Sequence, residues 1–252
     1  MRQFLLAGWH GQQGFQVDRT MQLSTTIHLA HIMSHPLKID FVSDISCPWC
    51  AIGLSALEQA LDRLQNEVAA ELHFQPFELN PQMPAGGQDI GEHLAQKYGS
   101  TPEQQAQIRD TIRQRGAEVG FSFNPAGRGR IYNTFDAHRL LHWAGLATPT
   151  QQPALKKALL VACHTQGQNM ESHEVLLAAV AQAGLDVARA RAILASDEFA
   201  PEVREREAFY TSQGIHSVPA VIINERHLIS GGQPAAVFEQ ALRQIAASQA
   251  QA

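Results

Sequence analysis

The sequence predicts an α/β fold whose sheet comes in two separated pieces, β-α-β and β-β-α, with an all-helical subdomain inserted between them. Three observations carry this expectation. A short alternating run, Lys38-Ile39-Asp40-Phe41-Val42, leads through Ser46-Cys47-Pro48-Trp49-Cys50 into a stretch with Leu54, Leu57, Leu61, Leu64 and Val68 at helical spacing. Strand patterns then almost vanish from Gly86 to Gly214. They return in Val218-Pro219-Ala220-Val221-Ile222-Ile223, an apolar run suited to a strand buried on both faces.

In chain order, residues 1–36 form an N-terminal extension without clear periodicity, expected to be disordered. The run Phe4-Leu5-Leu6-Ala7 stops at Gly8-Trp9-His10, too short for the apolar core of an efficient signal peptide. Met33 stands just before the first convincing strand, so the functional protein is expected to begin near it. His28, His31 and His35 read as members of a weakly structured polar segment rather than a metal site.

Residues 37–85 supply the first strand, the helix to about Asn66, and a second strand at Leu72-His73-Phe74-Gln75. Pro76 places that strand near an edge or an end. A parallel pair joined by a crossover helix is expected here. Within 86–213, Thr101-Pro102-Glu103-Gln104 is a capped helix start running towards Gly120. Asn133-Thr134 opens a helix through His142, and Pro153 to Thr165 carries Leu155, Leu159, Ala162 and Cys163 on one face. Ser172 caps another helix, stopped by Gly184; Asp186–Ala195 and Pro201–Gln213 add two more. The stretch from Phe123 to Arg130 is the most loop-like. Residues 214–248 return to the first unit. There Asn224-Glu225 turns a hairpin into His227-Leu228-Ile229, and Pro234 starts a last helix with Phe238, Ala241, Leu242 and Ile245 inward.

Composition narrows the function. Of 252 residues, 44% are hydrophobic and 17% charged, enough apolar material for a normal core. A net charge of -5 argues against nucleic acid or an anionic membrane as partner, since both need a basic surface. No apolar run is long enough to span a bilayer. Three cysteines are too few for a disulfide-stapled scaffold.

Two of those cysteines carry the chemistry. Cys47 falls at a helix N-terminus, where unpaired N–H groups and the helix dipole favour an anion. Thiols at such sites ionise at roughly 3.5–7.5. Cys50, one turn further on, is placed to close a disulfide with it, which reads as a dithiol–disulfide redox site. Half of a zinc site is the competing reading. A structural zinc needs four ligands, and no second C-x-x-C or close His-x-His pair completes one. Pro48 and Trp49 hold no acid–base group, so they act by holding the loop and covering the sulfurs. Cys163 lies on an apolar face and reads as a buried, inert thiol.

At this point the chain resembles the DsbA family of thiol oxidoreductases with a thioredoxin fold, and within it the FrnE-like, mostly cytoplasmic branch. The matching residues are Asp40-Phe41-Val42-Ser43-Asp44 before Cys47-Pro48-Trp49-Cys50, and Pro76-Phe77-Glu78-Leu79-Asn80-Pro81. Asn133-Thr134-Phe135-Asp136-Ala137-His138-Arg139 and Gly214-Ile215-His216-Ser217-Val218-Pro219 complete the set. The resemblance spans about residues 37 to 247. It implies that Pro219 is the cis-proline facing the disulfide, and that the Val218 backbone turns to the sulfurs, where a substrate chain pairs as a strand does. Pro219 would also keep a metal from bridging the thiols.

The resemblance places Glu78 near the resolving cysteine, where it either accepts the Cys50 proton or is a solvated strand-end carboxylate. His138 and Arg139 fall on a helix expected to pack over the redox face, with a satisfied core histidine as the other reading of His138. Asn133 and Asp136 read as stabilisers of that helix's first turn. Arg128 and Arg130 either meet an acidic substrate or glutathione, or belong to a solvated loop.

The expected function is a cytoplasmic thiol–disulfide oxidoreductase: Cys47 attacks a disulfide, and Cys50 resolves the mixed disulfide. The expected partners are protein or small-molecule disulfides and thiols. No cofactor beyond the redox-active disulfide is expected, with glutathione or a thioredoxin system as electron partner. Two alternatives stand beside it. One is a glutathione-dependent isomerase of the 2-hydroxychromene-2-carboxylate type, whose serine at the first active position is a cysteine here. The other is a chaperone-like binding module without turnover.

Overall fold

A computed structural model describes residues 36–147 and 150–249. The expectations for the extension, its histidines and Met33 lie outside them. Strand β1 (Leu37–Ser43) leads into helix α1 (Pro48–Leu64), which returns the chain to strand β2 (Ala70–Pro76). β1 and β2 pair in parallel, with Phe41 opposite Phe74. The hairpin of β5 (Ala220–Ile223) and β6 (His227–Ser230) completes the sheet in the order β2-β1-β5-β6, with β5 antiparallel to β1. Pro76 therefore lies on an edge strand, where its missing N–H costs no ladder bond. Asn224 and Glu225 both adopt positive φ, 50° and 58°, the geometry a two-residue hairpin turn requires.

The alternation in β1 sorts side chains to two faces. Leu37, Ile39 and Phe41 join the core shared with α1 and with the last helix, α9 (Ala235–Gln249), through Phe238, Leu242 and Ile245. Val42 faces the other way, into a small cluster with Tyr210, Ile215 and Ala220. Full burial of each such aliphatic or aromatic side chain contributes ~1.5–3 kcal/mol. α1 ends two residues earlier than expected, at Leu64, and β2 begins two residues earlier, at Ala70.

Between β2 and β5 the chain is mainly helical, with two departures from expectation. A helix α2 (Ile90–Tyr98) stands where none was expected. Asp89 caps it by accepting from the Glu92 N–H at 3.0 Å, and Gly99 closes it at φ 66°. Two two-residue strands, β3 (Gln88–Asp89) and β4 (Arg130–Ile131), pair antiparallel, so the loop-like stretch ends in a strand. Two residues are too few to show a period, which is why the pattern did not reveal them. α3 (Pro102–Glu118) starts with the full Thr101–Gln104 capping box. α4 (Phe135–Ala147) and α5 (Gln152–Leu160) follow, and α5 runs on into a π-helical turn, Val161–Thr165. α6 (His173–Gln182), α7 (Val187–Leu194) and α8 (Ala200–Ser212) lead back to the sheet. α4 to α7 share their own core, built on Leu140, Leu155, Leu159, Leu176 and Ile193.

Candidate active site

Cys47 is the N-cap of α1, with extended φ/ψ of -87° and 115°, and Pro48 takes the first helical position, where no N–H is needed. Cys47, Cys50 and Cys163 are free thiols. Cys47 is 4% exposed and Cys50 fully buried. The Cys47 thiol lies 3.5 Å from the Val218 carbonyl oxygen, and the Val218–Pro219 peptide is cis. Pro219 rests against the first turns of α1. A methyl group at Gly53 would come within 3.0 Å of Pro219 Cγ, and one at Gly232 within 3.0 Å of the Trp49 carbonyl, so two glycines permit this close approach.

The two thiols differ in acidity. A hydrogen bond from the Cys50 thiol is the main influence lowering Cys47. The Cys50 and Trp49 amides add to it, against burial and the Asp44 charge. Burial first, then the hydrogen bond to Cys47 and its charge, raise Cys50 well above the ordinary thiol range, and the Lys156 ammonium offsets part of this.

Behind Cys47, Asp44 organises the turn. Its carboxylate accepts from the Ser46 N–H at 2.9 Å, the Leu79 N–H at 2.7 Å and the Thr134 hydroxyl at 2.8 Å. His138 Nε2 stands 3.8 Å away, beyond ordinary hydrogen-bond length. Burial alone would raise Asp44; His138 and the two backbone donors outweigh it and hold the carboxyl below its ordinary value. Arg128 donates to the Ser46 carbonyl at 2.6 Å and to Cys163 Sγ at 3.0 Å. Burial and the Arg128 charge hold His164 neutral, so its Nε2–H donates to the Ile45 carbonyl at 2.9 Å.

Several expectations change here. Glu78 is buried, but its carboxylate pairs with Arg204 on α8, whose guanidinium also stacks 3.7 Å from the Phe135 ring centroid. Besides Cys47 itself, the charged side chain that acts on Cys50 is Lys156, not Glu78. His138 is buried and meets the redox loop at Asp44. Arg128 is partly buried and Arg130 is exposed, and both are tied to backbone carbonyls. Arg128 clamps the redox turn, and Arg130 donates to the Gly86 and Gly87 carbonyls at 2.9 Å and 2.8 Å, fixing β4 beside its partner. Arg139 binds the Ile193, Ser196 and Glu198 carbonyls at the end of α7, and pairs with Asp136. Asn133 caps α4 by accepting from the Phe135 N–H at 2.8 Å.

Sequence reasoning missed Thr134 as an Asp44 ligand, His164, Lys156 and Tyr98. Tyr98 on α2 is 61% exposed, yet Cys47 lies close enough for its charge to raise the phenol, after the larger effect of burial. Beside it, a cleft of about 440 Å³ runs between Asn80–Pro84 and α2, with His93 and Lys97 in its wall.

The model of a DSBA-like thioredoxin domain matches residues 38–243, from β1 into α9. The chain belongs to this family. A probable DsbA oxidoreductase from Streptomyces coelicolor shares 32% identity over 84% of this chain and 90% of its own, with a TM-score of 0.77. A 2-hydroxychromene-2-carboxylate isomerase shares the DSBA-like fold at 13% identity, covering 85% and 98% of the two chains with a TM-score of 0.65. The cytosolic disulfide reductase DsbM from Pseudomonas aeruginosa, solved with GSH, does so at 15% identity over 85% and 100%, with a TM-score of 0.56. No curated protein sequence matches the chain. No helix among the described residues is long and apolar enough to cross a membrane.

Proposed function

We propose that this DSBA-like protein is a thiol–disulfide oxidoreductase that works through Cys47-Pro48-Trp49-Cys50. The observation that carries the reading is the asymmetry of the two thiols: Cys47, the N-cap of α1, is lowered chiefly by the hydrogen bond from the Cys50 thiol, while burial raises Cys50. Exchange needs a thiolate attacker and a second thiol held back until a mixed disulfide exists. The Cys47 thiolate attacks one sulfur of a substrate disulfide, and the other sulfur leaves as a thiolate. Cys50 then loses its proton and attacks Cys47 Sγ. The second substrate sulfur leaves reduced, and the enzyme holds the Cys47–Cys50 disulfide. The reverse sequence oxidises substrate thiols.

The Val218 carbonyl beside Cys47 supports docking of a substrate strand by backbone pairing, with Pro219 against α1 setting its position. Pro48 and Trp49 cover the loop. Glutathione is the proposed electron donor, in line with the fold shared with the reductase solved with GSH. In a reducing compartment such as the cytoplasm, the cycle runs as a reductase or isomerase. Redox titration with insulin and glutathione tests the reading. Cycling of the Cys47–Cys50 pair with either supports it, and a pair inert to both sinks it.

A further inference from the structure

Lys156 sits on α5 one turn before Leu160, and Leu160 packs in the same core as Cys47 and Cys50. The neighbouring Leu155 and Leu159 belong to the separate core of the helical region. Lys156 is 0% exposed, so its aliphatic stem does not carry the amine to water. Nζ has no hydrogen-bond partner among the described residues and lies 5.9 Å from the centroid of the Phe74 ring, over β2. Phe74 in turn packs edge-on against Phe41, in that same core. A buried amine without a partner is costly, and an apolar side chain of equal length would fill the space without that cost. The groups whose charges reach it are Cys50, Asp44 and Cys47, in falling order. Burial lowers its pKa to about 8.

We infer that Lys156 is the proton acceptor for Cys50 in the resolving step. The inference rests on the oxidoreductase reading. Nζ is not hydrogen-bonded to Cys50 in the resting structure, so the flexible stem of Lys156 first turns to bring the amine to the thiol. With the amine neutral, the Cys50 S–H proton then passes to Nζ and leaves an ammonium–thiolate pair. The thiolate forms a bond to Cys47 Sγ, the mixed-disulfide S–S bond breaks, and the substrate sulfur departs with the electron pair. Cys47 and Cys50 are thereby oxidised and the substrate sulfur reduced. The ammonium then gives its proton to the departing thiolate or to water. In the reverse direction the ammonium protonates Cys50 as the enzyme disulfide opens.

Reaction of the reduced full-length protein with the aromatic disulfide dithionitrobenzoate separates the steps, because each releases one coloured thiolate. The first phase reports attack by Cys47 and the second resolution by Cys50. In the unsubstituted protein the second phase should rise with pH through an ionisation near 8. Lys156→Met should lose that ionisation, slow the second phase at neutral pH by about 10²-fold, and leave the first phase in place. Lys156→Gln, which also cannot take the proton, should behave alike and serves if Lys156→Met does not fold. A merely structural lysine would change the rate equally at every pH, and a retained ionisation near 8 in either folded variant overturns the assignment. So does a second phase with no such ionisation in the unsubstituted protein. If neither phase appears, the oxidoreductase reading fails and takes this inference with it. If only the first appears as expected, the reading stands and Lys156 is not the acceptor.

Discussion

From the sheet side, Cys47 is met by backbone: the first turn of α1, the Cys50 and Trp49 amides, and the Val218 carbonyl. The helices between β2 and β5, with their connecting loops, meet the same turn with side chains: Thr134 and His138 at Asp44, Arg128 at Ser46, His164 at Ile45, and Lys156 towards Cys50. The Cys50 thiol does most to make Cys47 a good nucleophile, and these backbone groups add a fixed, pH-independent field to it. Side chains add groups that titrate, so the helical region governs how the proton of the second thiol is handled. The nucleophile belongs to the sheet and its proton economy to the helices.

The largest effects fall on the sheet side. Cys47→Ser should reduce insulin reduction to the uncatalysed background. Cys50→Ser should instead accumulate a mixed disulfide visible by mass spectrometry. Exchange that survives in Cys47→Ser would remove the distinction between the two thiols.

On the helical side, Lys156→Met should raise stability while slowing resolution. Lys156 has a folded pKa of about 8 against 10.5 unfolded. Between those values the unfolded chain keeps the proton that the folded chain has lost, so stability rises with pH across that window. Below it the buried charge costs on the order of 3 kcal/mol. Urea melts should therefore show Lys156→Met gaining most at neutral pH, and the gain shrinking as pH rises from 8 to 10.5.

Thr134→Val should destabilise by about 1–3 kcal/mol, since a buried carboxylate loses a donor. Asp44 has its folded pKa below its unfolded value, so its contribution is fully present above 3.8 and is lost as pH falls through the folded value. The variant's deficit in melts should accordingly narrow in acid.

Smaller again is Glu78→Gln, which loosens the pair with the half-exposed Arg204 and should cost about 1 kcal/mol. It should leave the pH profile of resolution untouched. A shifted profile would return Glu78 to Cys50 and contradict the pairing seen here.

Much of the sheet was legible in sequence because its signals are local. The alternation in β1, the apolar run before Asn224-Glu225 and the placement of Cys47 ahead of a helix each lie within a dozen residues. The resemblance to the DsbA family added Pro219, 172 positions from Cys47. The helical region's contribution is non-local. Lys156 stands beside Lys157 with nothing local to single it out, and only the way α5 packs on β2 turns it inward. Asn133 caps α4 as its sequence position suggests, but nothing local shows that the neighbouring Thr134 hydroxyl is turned to Asp44. The partner of Glu78 is not legible in sequence, because a strand-end position says nothing of which helix crosses it, and α8 brings Arg204 there.

The central claim, that the two thiols are divided into attacker and reserve, is tested most directly by alkylating the reduced protein over a range of pH and reading each cysteine by peptide mass spectrometry. Cys47 should be modified with an inflection below the ordinary thiol value of 9.0, while Cys50 stays unmodified across the same range. Equal labelling, or Cys50 reacting first, would contradict the account.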